Sequence, residues 1–239
     1  VGGWGMKIKT EDIARFGQLY LQRGHWHGQQ VLPEAWVAQA TAFQSDNNNG
    51  TQTNPDWQQG YGYQFWRCRH GAYRGDGAFG QFCVVFPDQD AVLAITSGLA
   101  DMQAVLNLVW QHLLPAFAAA PLPENAAEQA ALQQRLSALC VPMTAGVAGD
   151  NLAHQVSGKT YHLESNALGL TALQVQFGMP DVVLHLSDAT GSHDIVIGGA
   201  AWRHSHSRFE IRNPRFGASN PSALHHIATS GAWVTQNTY

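Results

Sequence analysis

The sequence is poor in charged residues. Asp, Glu, Lys and Arg make up 13% of its 239 residues, and the formal net charge is −4. Proteins that bind nucleic acid or an anionic membrane surface concentrate basic residues, so the composition indicates neither partner. No apolar run approaches the ~20 residues that a membrane-spanning helix needs. The chain begins with Val1 rather than Met, so the lack of a signal-peptide pattern says little about export.

Cysteine is scarce, and metal ligands are scattered. Cys68, Cys83 and Cys140 show no metal-binding spacing, and the pattern favours buried free thiols over a disulfide between Cys68 and Cys83. His204 and His206 would share one face of a strand and could chelate a metal ion. Because no cysteine or carboxylate stands between or beside them, a solvated polar face is the favoured interpretation. No cofactor is expected.

The stretch from Tyr61 to Gly98 organises the first half of the chain. It predicts three antiparallel strands: one in which Tyr61, Tyr63 and Phe65 alternate with small or polar residues, and two apolar runs, Gln81–Phe86 and Ala91–Thr96. Pro87–Asp90 predicts the hairpin turn between the two apolar runs. Before the second strand, residues 74–81 contain three glycines, which indicates positive φ angles or a close approach to the backbone.

Helices are predicted on both sides of this stretch. Thr10 is suited to cap the start of a helix, and Gly24 is suited to end it. Pro33 begins a second short helix that runs to about Ala40. Residues 45–59 are polar and rich in Asn, which predicts a surface loop. A helix from residue 101 to about 114 is apolar on nearly all sides, so we expect it to be well buried.

The second half predicts mostly β structure. A Pro- and Ala-rich linker leads into a helix over residues 125–139, with Leu132, Leu136 and Leu139 along one face. Short strands follow at residues 159–163, 172–177, 182–186, 193–197 and 232–234. We therefore predict an α+β protein with an antiparallel sheet flanked by helices over residues 1–118, a linker and helix over 119–140, and a mostly β, barrel-like, truncated accessory domain over 141–239. Both chain ends are expected to be cuts through folded units.

Several short motifs of the first half occur together in one known family. They are Gly2–Met6, Thr10–Gly17, Leu32–Val37, the Tyr-Gly-Tyr of residues 61–63, the Gly-x-x-Gly-Gln of residues 77–81 and the Val-x-Pro-x-x-Asp of residues 85–90. In this combination the chain resembles the serine β-lactamases and penicillin-binding-protein-like hydrolases, above all the class C-like and D-alanyl-D-alanine-peptidase-like members. The resemblance covers residues 1 to about 118. It extends more loosely to Ser157–Tyr161, which is similar to an accessory β domain that some of these proteins carry.

The nucleophile of the resembled family is missing. Those hydrolases attack with the Ser of a Ser-x-x-Lys motif, assisted by a Tyr-x-Asn or Ser-x-Asn motif. None of Lys7, Lys9 and Lys159 lies three residues after a Ser, and no Tyr is followed two residues later by Asn. Ser45-Asp46-Asn47 has the letters of the second motif but follows the wrong elements, in an Asn-rich loop. The resemblance therefore implies a bacterial, periplasmic or extracellular hydrolase whose Ser lies N-terminal to Val1, and a chain that is inactive alone.

The resemblance also implies where a substrate would bind. The third motif of the family, Lys-Thr-Gly or His-x-Gly, maps onto Gly75-Asp76-Gly77, so Ala78 would donate its backbone N–H to the oxyanion hole. Gly75 replaces the Lys or His, and Arg74 could supply the cation from another angle. Tyr61 and Tyr63 are candidates for lining the cleft.

Two functions remain open at this point. The first is a hydrolase of peptidase, esterase or β-lactamase type, acting on a small-molecule or peptide substrate. The second is a non-catalytic module that binds a cell-wall or peptide ligand, in which the altered third motif reports a lost activity. The expected partners are the substrate, the N-terminal part of the same protein and a second copy of the chain.

Overall fold

The computed structural model describes residues 6, 8–147, 152–199, 201–209 and 224–239. The chain divides into two units, Val1–Glu124 and Asn125–Tyr239. Both combine helices with antiparallel sheets, which confirms the predicted α+β class. In the described part of the chain, no helix is long and apolar enough to cross a membrane.

The first unit is built from a central sheet and the helices on either side of it. Its helices are α1 (Thr10–Leu21), α2 (Glu34–Thr41) and α3 (Met102–Leu108). Its strands are β1 (His25–Trp26), β2 (Gln29–Gln30), β3 (Trp66–Arg67), β4 (Tyr73–Gly77), β5 (Gln81–Phe86) and β6 (Ala91–Ile95). β1 and β2 form a small hairpin, and the other four strands form the central sheet in the order β3-β4-β5-β6, antiparallel throughout.

β5 is the core strand of this sheet, and both of its faces are buried. Side chains alternate between the faces of a strand, and the apolar run provides a large residue for each face. Phe82, Val84 and Phe86 pack with α3 and the helical turn that follows it. Val85 belongs to a separate cluster with Tyr20 of α1 and residues of α2. Two layers of helix therefore cover opposite faces of one sheet.

Helix α1 is confirmed, but its predicted N-cap is wrong. The capping residue is Lys9, which has extended backbone angles, and no side chain caps the helix. The hydroxyl of Thr10 lies 3.3 Å from the hydroxyl of Thr96 instead, because this end of the helix rests on the sheet. Gly24 ends the helical segment as predicted: it has a φ of 87°, and its N–H donates to the carbonyl of Leu19 at 2.8 Å.

The predicted strand through Tyr61, Tyr63 and Phe65 is wrong. Tyr61 forms isolated bridges with Ser45 and Trp66, and the chain then turns tightly. Gln64 has a φ of 67°, and the N–H of Gly62 donates to the carbonyl of Phe65 at 2.7 Å. The glycine at position 62 gives this turn room, since a Cβ there would collide with the backbone of α2.

The helical segment after the sheet has the predicted extent, but its helical type changes along its length and it is more exposed than predicted. α3 ends at Leu108 and continues as a π-helical turn, Val109–Leu113, and a 3₁₀ turn, Leu114–Ala116. Leu106 and Val109 are buried against the sheet, but Leu108 is 58% exposed and Leu113 is 36% exposed. The prediction of a well-buried helix is therefore wrong for its outer face, because only one face meets the sheet.

The second unit contains two helices and two sheets among its described residues. The helices are α4 (Ala126–Ser137) and α5 (Ala153–Val156). The strands are β7 (Thr160–His162), β8 (Leu170–Phe177), β9 (Asp181–Asp188), β10 (Gly191–Gly198), β11 (Arg203–Ser207) and β12 (His225–Thr229). β10-β9-β8-β7 form an antiparallel sheet, and β11 pairs with β12.

Two predictions for the second unit need correction. The described strands form two open sheets and no closed barrel, because β7 and β10 each have one partner strand in the four-stranded sheet. Residues 232–234 form no strand and lead into an isolated bridge between Thr235 and Thr238. The leucine face of α4 is exposed, with Leu132 and Leu136 each more than half accessible.

Candidate functional site

The predicted site lies on the hairpin formed by β4 and β5. Gly75 and Gly77 belong to β4 and stand opposite Cys83 and Gln81 of β5. A Cβ at Gly77 would lie 3.0 Å from the Cβ of Gln81, so the glycine allows the two strands to approach without displacing that side chain. Residues 78–80 form the loop between the strands. Gly80 has a φ of 86°, a conformation that glycine adopts without steric cost.

Side chains at the end of β6 fix this loop. The hydroxyl of Ser97 lies 2.7 Å from the carbonyl oxygen of Phe79 and 2.8 Å from that of Gly80. The Leu99 N–H also donates to the carbonyl of Phe79, at 3.0 Å. The amide of Gln81 donates to the Ser97 carbonyl and accepts from the Ser97 N–H. The loop is thus held in place by the segment that follows β6 rather than free.

Ala78 is the exposed residue of this fixed loop. It follows Gly77 directly, and its carbonyl accepts a long bond of 3.4 Å from the Gln81 side chain. Its backbone N–H has no hydrogen-bond acceptor among the described residues. A backbone donor on a restrained loop, without an internal partner, is a group that can bind an oxygen of a ligand.

Arg74 is a residue of β4, the strand that carries Gly75 and Gly77 (called the glycine strand below), and its side chain is fully buried. Its Nε and Nη2 donate to Oδ2 of Asp76 at 3.1 and 2.9 Å, and its Nη1 donates to the backbone carbonyl of Asp56 at 3.0 Å. The guanidinium carbon lies 4.3 Å from the ring centroid of Trp57, which is a cation–π contact. All three guanidinium nitrogens are therefore engaged inside the protein, and Arg74 supports β4 from within.

Asp76 completes this pair. Its side chain is 7% exposed and accepts both bonds from Arg74 on one oxygen. Burial raises the pKa of Asp76, and the adjacent Arg74 cation offsets only part of that rise. The Arg74–Asp76 pair brings together two of the predicted site residues and braces the strand that carries Gly75 and Gly77.

The most highly connected polar residue of the unit is Asp56, which the sequence prediction missed. It lies in a 3₁₀ turn, Pro55–Trp57, within the segment predicted as a surface loop, yet it is completely buried. Its Oδ2 accepts from Nη2 of Arg69 at 2.9 Å, Nε2 of Gln103 at 2.6 Å and Nε1 of Trp110 at 2.9 Å. The loop is therefore anchored to the core at this residue.

The pKa of Asp56 follows from this network. Burial raises the pKa, but the hydrogen bonds from Arg69, Gln103 and Trp110 together outweigh that effect and leave the pKa below its ordinary value. Asp56 is therefore a charged group at neutral pH. Through its carbonyl it also holds Arg74, so it connects the loop, α3 and the glycine strand.

The two candidate tyrosines lie in different surroundings. The ring of Tyr61 packs edge-on against Trp66, with ring centroids 4.8 Å apart, and Trp66 pairs with Arg74 across β3 and β4. Tyr63 is 46% exposed and stacks on Trp36 of α2, with ring centroids 5.7 Å apart. Tyr61 is thus close to the glycine strand through Trp66, whereas Tyr63 belongs to the surface of α2.

The structure agrees with the prediction that Cys68 and Cys83 are buried free thiols rather than a disulfide. Cys68 and Cys83 are both buried and free. Burial raises the pKa of each thiol to about 11, so neither is a thiolate at neutral pH. The Sγ of Cys83 lies 3.3 Å from the carbonyl of Ile13 in α1 and has a packing role.

No described group of three or more His, Cys, Asp or Glu side chains is arranged to hold a metal ion. His204 and His206 lie on the exposed face of β11, and both rings pack against His226 of β12. Asn47 of the Ser-Asp-Asn sequence accepts from the N–H of Gly60 at 2.8 Å, which is a loop contact.

No protein-family model matches the chain, and no curated protein matches it either.

Proposed function

We propose that this chain is the C-terminal part of a β-lactamase-like serine hydrolase, with an incomplete catalytic sheet followed by a mostly β accessory unit. The observation that carries the proposal is the Ala78 N–H. Ala78 is an exposed residue of a restrained loop, its N–H has no acceptor among the described residues, and it directly follows β4, which the buried Arg74–Asp76 pair supports. The periplasmic or extracellular location belongs to the same proposal.

The proposed reaction is acyl transfer to a serine. In the complete protein, a Ser on the N-terminal side of Val1 attacks the carbonyl carbon, and its proton passes to a neighbouring base. The carbonyl oxygen becomes an oxyanion, which Ala78 stabilises by donating its N–H. The leaving group departs with a proton, and water hydrolyses the resulting acyl ester. Of the catalytic groups, this chain contributes the oxyanion donor and the wall that holds it.

The substrate class that fits best is a neutral ester or amide. In the resembled family, a Lys or His of the third motif binds the substrate carboxylate, but Gly75 occupies that position here. Arg74 is buried, and its three guanidinium nitrogens already donate to protein acceptors. A substrate without a carboxylate needs no cation at this position. Esterase or amidase activity is therefore favoured over D-Ala-D-Ala recognition.

An active-site label tests this proposal. A fluorophosphonate probe should label a polypeptide that extends this chain on its N-terminal side, and mass spectrometry should place the adduct on a Ser of a Ser-x-x-Lys sequence. The 239-residue chain alone should remain unlabelled and should hydrolyse simple esters at the background rate. Turnover by the isolated chain, or an adduct on one of its own residues, would contradict the proposal.

The alternative is a non-catalytic module that binds a cell-wall or peptide ligand. The observation that favours it is that Arg74, the cation of β4, is buried and already donates to protein acceptors from all three guanidinium nitrogens, whereas an enzyme acting on D-Ala-D-Ala would need a free cation there. The coding sequence upstream of Val1 discriminates between the two. Ser-x-x-Lys and Tyr-x-Asn motifs there favour the enzyme, and their absence, together with co-sedimentation of the chain with purified peptidoglycan, favours the module.

A further inference from the structure

The four-stranded sheet of the second unit has one apolar face. Where β9 pairs with β8, Val175 lies opposite Leu184 and Phe177 lies opposite Val182. Where β9 pairs with β10, Ile197 lies opposite Val182. Residues directly opposite in an antiparallel sheet lie on the same face. Val182 is buried, whereas the other four are only partly covered.

A cavity of about 600 Å³ lies over the partly covered side chains. The C-terminal segment forms its other wall, where Trp233 stacks on Phe177 with ring centroids 5.2 Å apart. Tyr239 contacts both rings edge-on, at 5.1 and 5.5 Å. The volume falls within the range of small-molecule sites, roughly 300–1,000 Å³. The aromatic side chains are rigid walls that bury a large area on contact.

The chemistry of the walls restricts the ligand. None of the side chains that line the cavity is charged, so a carboxylate or ammonium group would enter without a side-chain counter-ion. Thr144, Ser230 and Asn237 line it, and their side chains make no hydrogen bond to other described residues. They could pair with one or two neutral polar atoms of a ligand. Burial also raises the pKa of Tyr239, so its hydroxyl is uncharged at neutral pH.

We propose that this cavity binds a neutral, largely apolar small molecule, such as a medium-length alkyl alcohol or an aromatic compound. Its apolar part lies between the sheet face and the Phe177–Trp233–Tyr239 aromatic cluster. A polar group of the ligand lies near Thr144, Ser230 or Asn237. The proposal concerns the second unit alone and does not depend on the hydrolase function of the first.

Binding of the neutral dye N-phenyl-1-naphthylamine to the full chain tests this site, because its fluorescence rises in apolar surroundings. One dye should bind per chain, and 1-decanol should displace it. Along the series of linear alkanols, affinity should rise by up to about fourfold per added CH₂. Decanoate and decylammonium should compete at least about tenfold less well, because each brings an uncompensated charge into the cavity.

Matched variants locate the site. Leu184→Gln introduces a polar group into the wall and should weaken dye binding at least about tenfold. Val183→Gln alters the neighbouring residue of the same strand, which faces the other side of the sheet, and should leave binding unchanged. If Leu184→Gln does not fold, Val234→Gln serves instead, because Val234 lines the cavity but is 38% exposed.

Three results would overturn the proposal. The first is equal weakening by Val183→Gln and by the cavity variants. The second is equal competition by charged and neutral decyl compounds. The third is absence of dye binding. In one form of this third result, the wild-type chain binds no dye and is a dimer, and Val234→Gln makes it a monomer. That last pattern would assign the apolar face to a second copy of the chain.

Discussion

Asp56 shows why single buried polar residues are hard to find in a sequence. Its neighbours are Asn, Gln, Thr and Pro, a composition typical of a surface loop. Its partners Arg69, Gln103 and Trp110 are 13, 47 and 54 residues away. Only the fold brings these donors together, so the local sequence pattern cannot predict the hydrogen-bond network. The sole local signal is the Pro-Asp-Trp sequence, which begins a turn with an aromatic residue.

Asp56→Asn should destabilise the first unit by about 3 kcal/mol. The substitution keeps the size of the side chain, but it removes the charge and turns an NH₂ donor toward groups that are donors already. This loss of unfolding free energy is at the low end of the range for breaking a buried ion pair, because the Arg69 side chain is 32% exposed. Urea unfolding followed by tryptophan fluorescence measures the loss. Asp46→Asn, in the exposed part of the same loop, should change stability by less than about 0.5 kcal/mol.

The effect of Asp56 should depend on pH with a defined sign. Its pKa is lowered in the folded protein, so its stabilising contribution is complete above the ordinary carboxyl pKa of ~3.9 and is lost as pH falls through the lower folded value. The difference in stability between wild type and Asp56→Asn should therefore be constant from pH 7 to pH 5 and shrink below pH ~4. Asp76, whose pKa is raised, contributes equally to both proteins and cancels. A difference that grows on acidification would contradict this assignment.

At the scale of elements, the hydrophobic pattern correctly predicted the strand that is buried on both faces. It failed for the helix that has one face buried and the other exposed to solvent. The run Gln81–Phe86 is apolar at nearly every position, and it forms the core strand. The helical segment that follows the sheet, residues 102–114, is also rich in apolar residues, yet Leu108 and Leu113 lie on its outer face. Composition alone does not distinguish two buried faces from one. The alternation at Tyr61, Tyr63 and Phe65 misled for a different reason, since Gly62 and Gln64 form a turn there.

The contact between α1 and the sheet depends on Gly17. A Cβ at this position would lie 2.5 Å from Cγ1 of Val92 and 2.7 Å from Sγ of Cys83. Gly17→Ala should therefore destabilise by about 1–3 kcal/mol through overpacking, although alanine favours a helix by up to ~1 kcal/mol. Thermal unfolding checks this change.

A double-mutant cycle separates crowding from other causes. In a Val92→Ala background, Gly17→Ala should cost less than it does alone, because one of the two clashes is removed. Gly98→Ala is the matched control, since a Cβ there meets nothing within 4 Å. Additive effects of Gly17→Ala and Val92→Ala would show that the helix and sheet do not meet as described.

At the scale of the whole molecule, the first unit has apolar surface that invites self-association. Leu108, Leu113 and Phe117 are exposed, and β6 pairs only with β5 among the described strands. Apolar surface costs about 25 cal/mol per Å² when left in water, and an unpaired strand edge can pair with another chain. We expect a dimer or larger oligomer at micromolar concentration in light scattering or sedimentation.

Surface variants test where that association occurs. Leu108→Glu should shift the chain toward monomer, because it places a charge within the apolar surface. Val31→Glu, at an exposed residue that follows the β1–β2 hairpin, should leave the distribution unchanged. A wild-type chain that is monomeric at these concentrations and melts cooperatively would contradict the expectation.

The candidate site could be located from sequence only as a segment. The glycines of residues 75–80 predicted close backbone approach, and the structure has β4 and its loop there. Ala78 is exposed and its N–H has no acceptor among the described residues, which is consistent with the predicted oxyanion donor, whose role stays a prediction. The burial of Arg74 could not be foreseen, because Trp57, Asp56 and Asp76 surround it only in the folded chain.

The central claim is that Ala78 donates to an acyl oxyanion. The most direct measurement is a crystal structure of the N-terminally extended protein, acylated by a slowly hydrolysed ester or β-lactam. The backbone nitrogen of Ala78 should lie about 2.7–3.1 Å from the acyl oxygen. An acyl oxygen held by other donors, with the Ala78 N–H pointing away, would contradict the account.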